Sequence, residues 1–399
     1  MDNTVYTAGN KGGRVRSDCF VTYKKRSEGG CRINIKSKVA VMFGSHIKAL
    51  AEEMLAYFEI EHAELSIEDT GAMDFTIAAR IEAVINTAHH TGKEFLLDQI
   101  PQNTTASTKE QFRFSRLYLP GNTPKIMLNA GIHKPNGIIL DLEDSVAFNK
   151  KSEARLIVRN ALRSVNFKDS ERMVRINQLP TGLEDLDFIV PHGVNLILIP
   201  KCESADQIRQ VEKKVNALQK ISHSTIPVFY MPIIESALGI ERAFEIASAS
   251  ENVVSVAIGL EDYTADLGVQ RTKEATESLY ARMRLANACI AAKVQPIDSV
   301  FSDVGDEEGL RKNLQISKSL GFQGMGCIHP RQIAVIHQEF APKPAEIEKA
   351  LKITAAFKEA ESKGLGVISI GSKMIDPPVV KRALRTVQLA KKLGLISNK

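Results

Sequence analysis

From residue 112 onward, short apolar runs recur, separated by polar stretches with helical spacing. The runs fall at residues 117–119, 137–141, 173–177, 196–200, 228–232, 254–259, 295–298 and 324–328. They are rich in Val, Ile and Leu and too short for helices. Residues 205–219 and 310–320, by contrast, repeat their apolar positions every three to four residues. Apolar strands alternating with helices predict a parallel sheet covered on both sides. Seven to eight such units favour a closed (β/α)8 TIM barrel over an open doubly wound sheet. The open sheet would also call for a GxGxxG after its first strand, and none is there.

Upstream the rhythm differs. Residues 32–35 and 63–67 alternate like half-buried strands, and 49–57 and 77–87 carry helical periodicity. They predict a small α/β domain. Residues 101–110, Pro-Gln-Asn-Thr-Thr-Ala-Ser-Thr-Lys-Glu, are polar and turn-prone, as a flexible linker should be. The predicted division is a small domain at 1–92, a linker at 93–111, a barrel at 112–340 and a C-terminal segment at 341–399.

Composition narrows the class. A hydrophobic fraction of 44% and a charged fraction of 25% are ordinary for a globular protein. No apolar run is long enough to span a bilayer, so no membrane association is expected. The first residues lack a basic stretch followed by an apolar core, so no secretory signal is expected either. Cys19, Cys31, Cys202, Cys289 and Cys327 show no CxxC spacing, which suits a reducing cytoplasm and neither a disulfide scaffold nor a zinc site. The formal charge is +5, and the densest basic cluster is Lys11, Arg14, Arg16, Lys24, Lys25 and Arg26. It reads either as a solvated face or as attraction to a phosphorylated ligand or an acidic partner. With no Trp and few Tyr to stack on bases, nucleic-acid binding is not expected.

Candidate chemistry sits at the strand ends, which in a parallel barrel face the active site. The second strand runs into Asp141-Leu142-Glu143-Asp144, the third ends in Arg175 and Asn177, and the fourth in Lys201. Glu235 follows the fifth and Glu261-Asp262 the sixth. Turns and helix caps account for one such residue, but less readily for several carboxylates and an arginine on successive strands. Glu235 and Asp262 can converge on one point, where their like charges would raise a pKa. A hard cation such as Mg²⁺ resolves that conflict with one or two carboxylates and keeps its other positions for substrate oxygens. Arg175 can then clamp a substrate carboxylate bidentately. The layout suits making or breaking a carbon–carbon bond beside a 2-keto acid.

Within these strands and helices stand "RLYLPG", "IILDLEDSV", "VRIN", "LILIPK", "IIESALGIERAFEIA", "EDYTADLG", "SLGFQGMGCIHPRQI" and "GLGVISIGSKMIDPPVV". In these the chain resembles the citrate lyase beta subunit, within the wider HpcH/HpaI aldolase/citrate lyase family that includes malyl-CoA lyases. The resemblance covers roughly residues 112–398. It implies Mg²⁺ held by Glu235 and Asp262, Arg175 on the carboxylate of an oxaloacetate-like group, and Glu143 and Asp144 as an acidic pair behind the metal. It also implies that Asp376, in "SKMIDPP", closes the site of a neighbouring subunit and handles a proton. Segment 341–399 would then be a helical lid and oligomerisation segment of a homo-oligomer. The family often carries Arg-Ser ahead of its "LFxPG". Here Phe114-Ser115 stands in that register, with Arg113 and Arg116 on either side; either could replace the missing Arg, and Arg116 is kept as the candidate for contact with the acyl-thioester part.

The stretches "INIKSKVAVMFGSHIKALAEEMLAYFEI" and "AELSIEDTGAMDFTIAARIEAVINTA" resemble the citrate lyase gamma subunit, an acyl carrier protein. The resemblance implies a phosphoribosyl-dephospho-CoA arm on Ser17, in "GGRVRSDCF", although the Glu that precedes the family's serine is absent. A prosthetic-group attachment enzyme and a citrate lyase alpha subunit would be partners. The implied activity is cleavage of a carrier-bound citryl thioester to oxaloacetate and an acetyl thioester. The alternative is a citramalyl- or malyl-CoA-type lyase that gives pyruvate or glyoxylate.

Overall fold

The computed structural model describes residues 4–362, 368–370 and 373–397. Part of the stretch "GLGVISIGSKMIDPPVV" therefore lies outside the described residues. Strands β1 (Val5–Gly9), β2 (Cys19–Lys25), β3 (Cys31–Ser37) and β4 (Ala63–Asp69) form one sheet in the order β1-β2-β4-β3. Helices α1 (Ala40–Tyr57) and α2 (Asp74–His89) pack on it. β2 and β4 each bury every second residue, Cys19, Val21 and Tyr23 against Ala63, Leu65 and Ile67. β1 and β2 are additions to the elements expected from the sequence, and both helices begin earlier than their apolar spacing predicts.

The second sheet has eight parallel strands. They are β5 (Ser115–Pro120), β6 (Gly137–Asp141), β7 (Glu171–Arg175), β8 (Leu196–Ile199), β9 (Phe229–Ile234), β10 (Ser255–Ile258), β11 (Gln295–Ile297) and β12 (Met325–Cys327). The order β11-β10-β9-β8-β7-β6-β5-β12 follows the chain around a ring. A parallel bridge from Asp298 to Met325 joins the two ends and closes the barrel. Ile139, Met173, Leu196, Leu198, Phe229, Met231, Ile233 and Ile297 fill its bore as a cluster of their own. The alternate residues, such as Ile138 and Leu140, pack outward under the helices. The bore is a packed core with an opening at the strands' C-terminal ends, as a barrel of this kind should be.

The polar segment between the units is not a loose tether. It lies along helix α3 (Lys151–Ser164), and Phe95 is buried there. Arg163 Nε donates to Leu97 O (2.5 Å), and Asn103 Nδ2 donates to Leu162 O and Val165 O (2.8 Å each). Carbonyls at the end of a helix lack intrahelical donors, and the linker's amide side chain satisfies them.

The units themselves are clasped by buried charges. Arg80 of α2 donates to both Asp18 oxygens (3.1 and 3.0 Å) and to Glu153 Oε2 of α3 (2.7 Å). Asn10 Nδ2 reaches Asn122 O (3.5 Å), and Gly9 N donates to Glu153 Oε2 (2.7 Å). Asn122 follows β5, and Glu153 lies in the first turn of α3 after β6, so this contact is on the mouth side of the barrel.

At the other end of the chain, α4 (Pro344–Ser362) and α5 (Pro377–Lys392) share a small core of Ala350, Ile353, Val380 and Ala383. Arg385, Leu389 and Lys392 line a cleft with Phe112, Gln295 and Gln323, near the N-terminal ends of β5, β11 and β12. This part of the C-terminal pair therefore lies at the end of the barrel opposite its own mouth. Among the described residues, no helix is long and apolar enough to cross a membrane.

Candidate active site

The two-residue repeat of β6 turns Gly137, Ile139 and Asp141 inward, and the register sets Asp141 beside Arg175 of β7. Arg175 Nε donates to Asp141 Oδ1 (2.6 Å) and its Nη2 to Oδ2 (2.8 Å). The bidentate face expected to clamp a substrate is thus already filled by Asp141. Nη1 remains, 2.7 Å from Glu143 Oε2 and 3.3 Å from Asp144 Oδ2. The guanidinium lies over the Tyr118 ring, 5.5 Å from its centroid. Burial alone would raise Asp141, but Arg175 outweighs it and holds the carboxyl below its usual range. Burial, reinforced by Asp144 against the pull of Arg175, pushes Glu143 up to about 7.

Across the mouth, Glu235 follows β9 and Asp262 lies in the first turn of the helix Leu260–Asp266, after β10. Burial first, and then Asp262, push Glu235 up to about 8. The like-charge conflict expected from the sequence is therefore present, and both donors are oxygens, as a hard cation prefers. Gly259 makes room for the carboxylate: a Cβ there would lie 2.8 Å from Glu235 Cγ and 2.9 Å from Oε2. Lys201 N donates to Glu235 Oε1 (3.2 Å), and Lys201 Nζ lies 3.3 Å from Asp262 Oδ1. No group of three or more His, Cys, Asp or Glu among the described residues is disposed as a metal cage. Mg²⁺ does not require one, since it keeps several waters and uses one or two carboxylates.

A cavity of about 490 Å³ is lined by Arg116, Tyr118, Asp141, Arg175, Glu235 and Asp262, among others, while Glu143 and Lys201 contact these groups without lining it themselves. Asp144 stands on its rim. Arg116 is on the floor, one inward position below Tyr118, with 1% of its surface exposed. Two of the sequence candidates lie elsewhere. Asp376 caps the N-terminus of α5 through Val379 N (3.2 Å) and does not line the cavity. Ser17 occupies the turn between β1 and β2, half-exposed, at φ +54°. Asp141 and Lys201 are the functional neighbours that the sequence reading left without a role. The inward parity of Gly137, Ile139 and Asp141 was the available signal for the first.

Carboxylates on successive strand ends, with guanidinium groups beside them, fit a barrel enzyme that handles an oxyacid through a hard divalent cation. That is the class of metal-assisted lyases and aldolases. Residues 115–330 match the family described as HpcH/HpaI aldolase/citrate lyase. Residues 10–88 match the acyl-carrier family described as Malonate decarboxylase delta subunit (MdcD). The chain is 39% identical over 284 residues to citrate lyase subunit beta of Haemophilus influenzae, covering 70% of this chain and 98% of that one. It is 34% identical over 286 residues to the mitochondrial citramalyl-CoA lyase of Homo sapiens, covering 69% of this chain and 84% of that one. A solved structure of the protein CitE from Mycobacterium tuberculosis, in complex with magnesium, acetoacetate and coenzyme A, is similar with a TM-score of 0.59. It is 26% identical and covers 71% of this chain and 99% of that one. The chain belongs to the HpcH/HpaI aldolase/citrate lyase family and is a carbon–carbon lyase fused to an acyl-carrier-like domain.

Proposed function

We propose that the chain is a Mg²⁺-dependent citryl-thioester lyase that cleaves a carrier-borne citryl group to oxaloacetate and an acetyl thioester. It would serve as the fused gamma and beta parts of a citrate lyase. The observation that carries this reading is the docking of the acyl-carrier-like unit on the mouth side of the barrel, through Asn10, Arg80 and Glu153. The identity with a citrate lyase subunit beta supports the reaction, and the magnesium and coenzyme A bound by the similar M. tuberculosis protein support the metal and the thioester. The division follows as 1–92 carrier, 93–111 connecting strap, 112–340 lyase barrel and 341–399 lid and oligomerisation segment.

Glu235 and Asp262 would hold the Mg²⁺. An ion held there would supply Lewis-acid polarisation of the oxygen on the reacting carbon and offset charge developing on it. Arg175, held at a fixed angle by Asp141, directs Nη1 towards the carboxylate beside that carbon. Glu143 and Asp144 form the acidic wall behind it. The substrate hydroxyl gives up its proton, the carbon–carbon bond breaks towards the thioester, and the enolate carbon gains a proton. Asp376 of the partner subunit handles a proton in this sequence. Within its own chain Asp376 does not reach the mouth, so a homo-oligomer completes the site. Ser17 would carry the phosphoribosyl-dephospho-CoA arm. Its neighbour Asp18 is fixed to Arg80, and Arg14 and Arg16 nearby would be candidates to meet the arm's phosphates. An attachment enzyme would load the arm, a citrate lyase alpha subunit would exchange acetyl for citrate on it, and the assembly would be cytoplasmic.

The test is release of oxaloacetate from citryl-CoA by the purified full chain with Mg²⁺, alongside the intact mass of chain made with its attachment machinery. Absence of oxaloacetate from citryl-CoA and from the citryl-loaded carrier would sink the reading. The 34% identity with a citramalyl-CoA lyase favours a second reading, in which citramalyl-CoA yields pyruvate instead.

A further inference from the structure

Among the described residues, the five largest fully buried side chains are arginines: Arg80, Arg113, Arg116, Arg159 and Arg282. Four of them face carboxylates. Arg80 pairs with Asp18 and Glu153, Arg113 with Glu171, Arg159 with Glu82, and Arg282 with Asp298. Arg172, nearly as buried, is satisfied by the carbonyls of Gly193 and Thr105 (2.7 Å each). Arg116 differs from all of these. Among the described residues its one side-chain acceptor is the Met231 sulfur, 2.8 Å from Nη1, and its Nε has none. Burial pushes its pKa down to about 10, which still leaves it charged at neutral pH. A buried charge without a counter-ion is strongly destabilising, so a fold retains one where a ligand supplies the partner.

The cavity shows where that partner would sit. Arg116 forms its floor with Ile233, Asp298 and Gly326. Gly137 on the neighbouring strand gives its Cβ space to the Met173 side chain, whose Cε would lie 2.4 Å from a Cβ there, and the Arg116 stem packs at ordinary contact distance beside it. Of the other cations at this mouth, Arg175 faces three carboxylates and Lys201 faces Asp262. Among the described residues, Arg116 is the remaining positive charge that lines the cavity. An oxyacid bound between Glu235 and Arg175 would project a substituent from its reacting carbon towards this floor. A methyl or a hydrogen there would leave the guanidinium without a partner, whereas a carboxymethyl group would supply one.

The geometry points to Arg116 as the specificity-determining residue: its guanidinium takes the distal carboxylate of a dicarboxylic 2-keto acid, and so selects a citryl over a citramalyl or malyl thioester. The inference rests on the lyase reading for the chemistry of its ligand. It moves Arg116 from the acyl-thioester end, where the sequence placed it, to the keto-acid end.

The test compares wild type with Arg116→Met and Arg116→Lys, in full chains with Mg²⁺. One arm measures kcat/KM on citryl-CoA and citramalyl-CoA, and the other measures direct binding of oxaloacetate and of pyruvate by calorimetry. For Arg116→Met the expected result is a loss of about 100-fold or more on citryl-CoA and in oxaloacetate affinity, with citramalyl-CoA and pyruvate unchanged or improved. Arg116→Lys should recover part of the loss. The ligand-free Arg116→Met variant should melt higher than wild type, because an unpaired buried charge has gone. Equal losses on both thioesters and both keto acids, or a fall in melting temperature with selectivity intact, would overturn the assignment. If wild type cleaves no citryl-CoA, the lyase reading fails, but the oxaloacetate-against-pyruvate comparison still decides the role of Arg116.

Discussion

Glu82 of the carrier-like unit and Arg159 of the barrel's helix α3 meet in a two-pronged ion pair, Oε1 to Nη1 at 2.8 Å and Oε2 to Nη2 at 2.6 Å, with neither side chain exposed. Breaking such a pair by removing one partner leaves a lone buried charge and costs about 3–5 kcal/mol, whereas replacing both by apolar residues is often near neutral. Arg159→Met should lower stability by about that amount, Glu82→Met by less because Glu94 still lies 3.2 Å from Arg159 Nη1, and the double variant should regain most of the loss. Urea unfolding of the four chains measures the coupling directly. Proteolysis of the single variants should release the N-terminal unit, and an uncoupled pair of effects would show that the contact is incidental.

The acid pair at the mouth gives the metal-free protein a pH signature. Glu235 is raised from 4.5 to about 8 in the fold. Between those values the folded chain keeps a proton that the unfolded chain has released. Metal-free stability should therefore fall as pH rises from about 5 to 8, by up to about 1.4 kcal/mol per unit. Glu235→Gln should flatten that slope, and Mg²⁺ should restore stability most at the alkaline end. Thermal melts with and without chelator read both effects.

Asp141 positions Arg175, which it bonds at 2.6 and 2.8 Å. Asp141→Asn keeps the size but loses the charge and one acceptor, so the guanidinium is free to swing towards Glu143 and Asp144. A fall in kcat of about 100-fold is expected, with a smaller change in KM and an unchanged fold. Equal kcat for variant and wild type would remove Asp141 from the mechanism.

Gly259→Ala would place a methyl 2.8 Å from Glu235 Cγ. The carboxylate must then shift, so the Mg²⁺ dependence of activity should move to about 10-fold higher concentration or beyond, with little change in melting temperature. Saturation at the wild-type Mg²⁺ concentration would argue against Glu235 as a ligand.

The barrel was legible because its strands are apolar on both faces, so that Ile138, Ile139 and Leu140 stand out whichever way each one points. β1 and β2 were harder to see. β1 is a short edge strand, and β2 places Thr22, Lys24 and Lys25 among the buried Cys19, Val21 and Tyr23. The residue types at the mouth were also visible, but their pairings were not. Asp141 meets Arg175 only through the register of β6 on β7, a relation between segments 34 residues apart. The connecting segment misled for a related reason. The side chain that makes Asn103 look like loop also makes it a donor to the free carbonyls of α3, and composition does not separate those two uses.

The strapped connection bears on how such a protein works. Arg80 at one point and Arg159 at another join the carrier-like unit to the barrel through buried ion pairs. A group attached at Ser17 would explore a sphere set by the length of its own stalk, anchored at one place on the mouth side of the barrel. A second enzyme that loads that group would have to approach the whole body, since the anchor does not travel out to meet it.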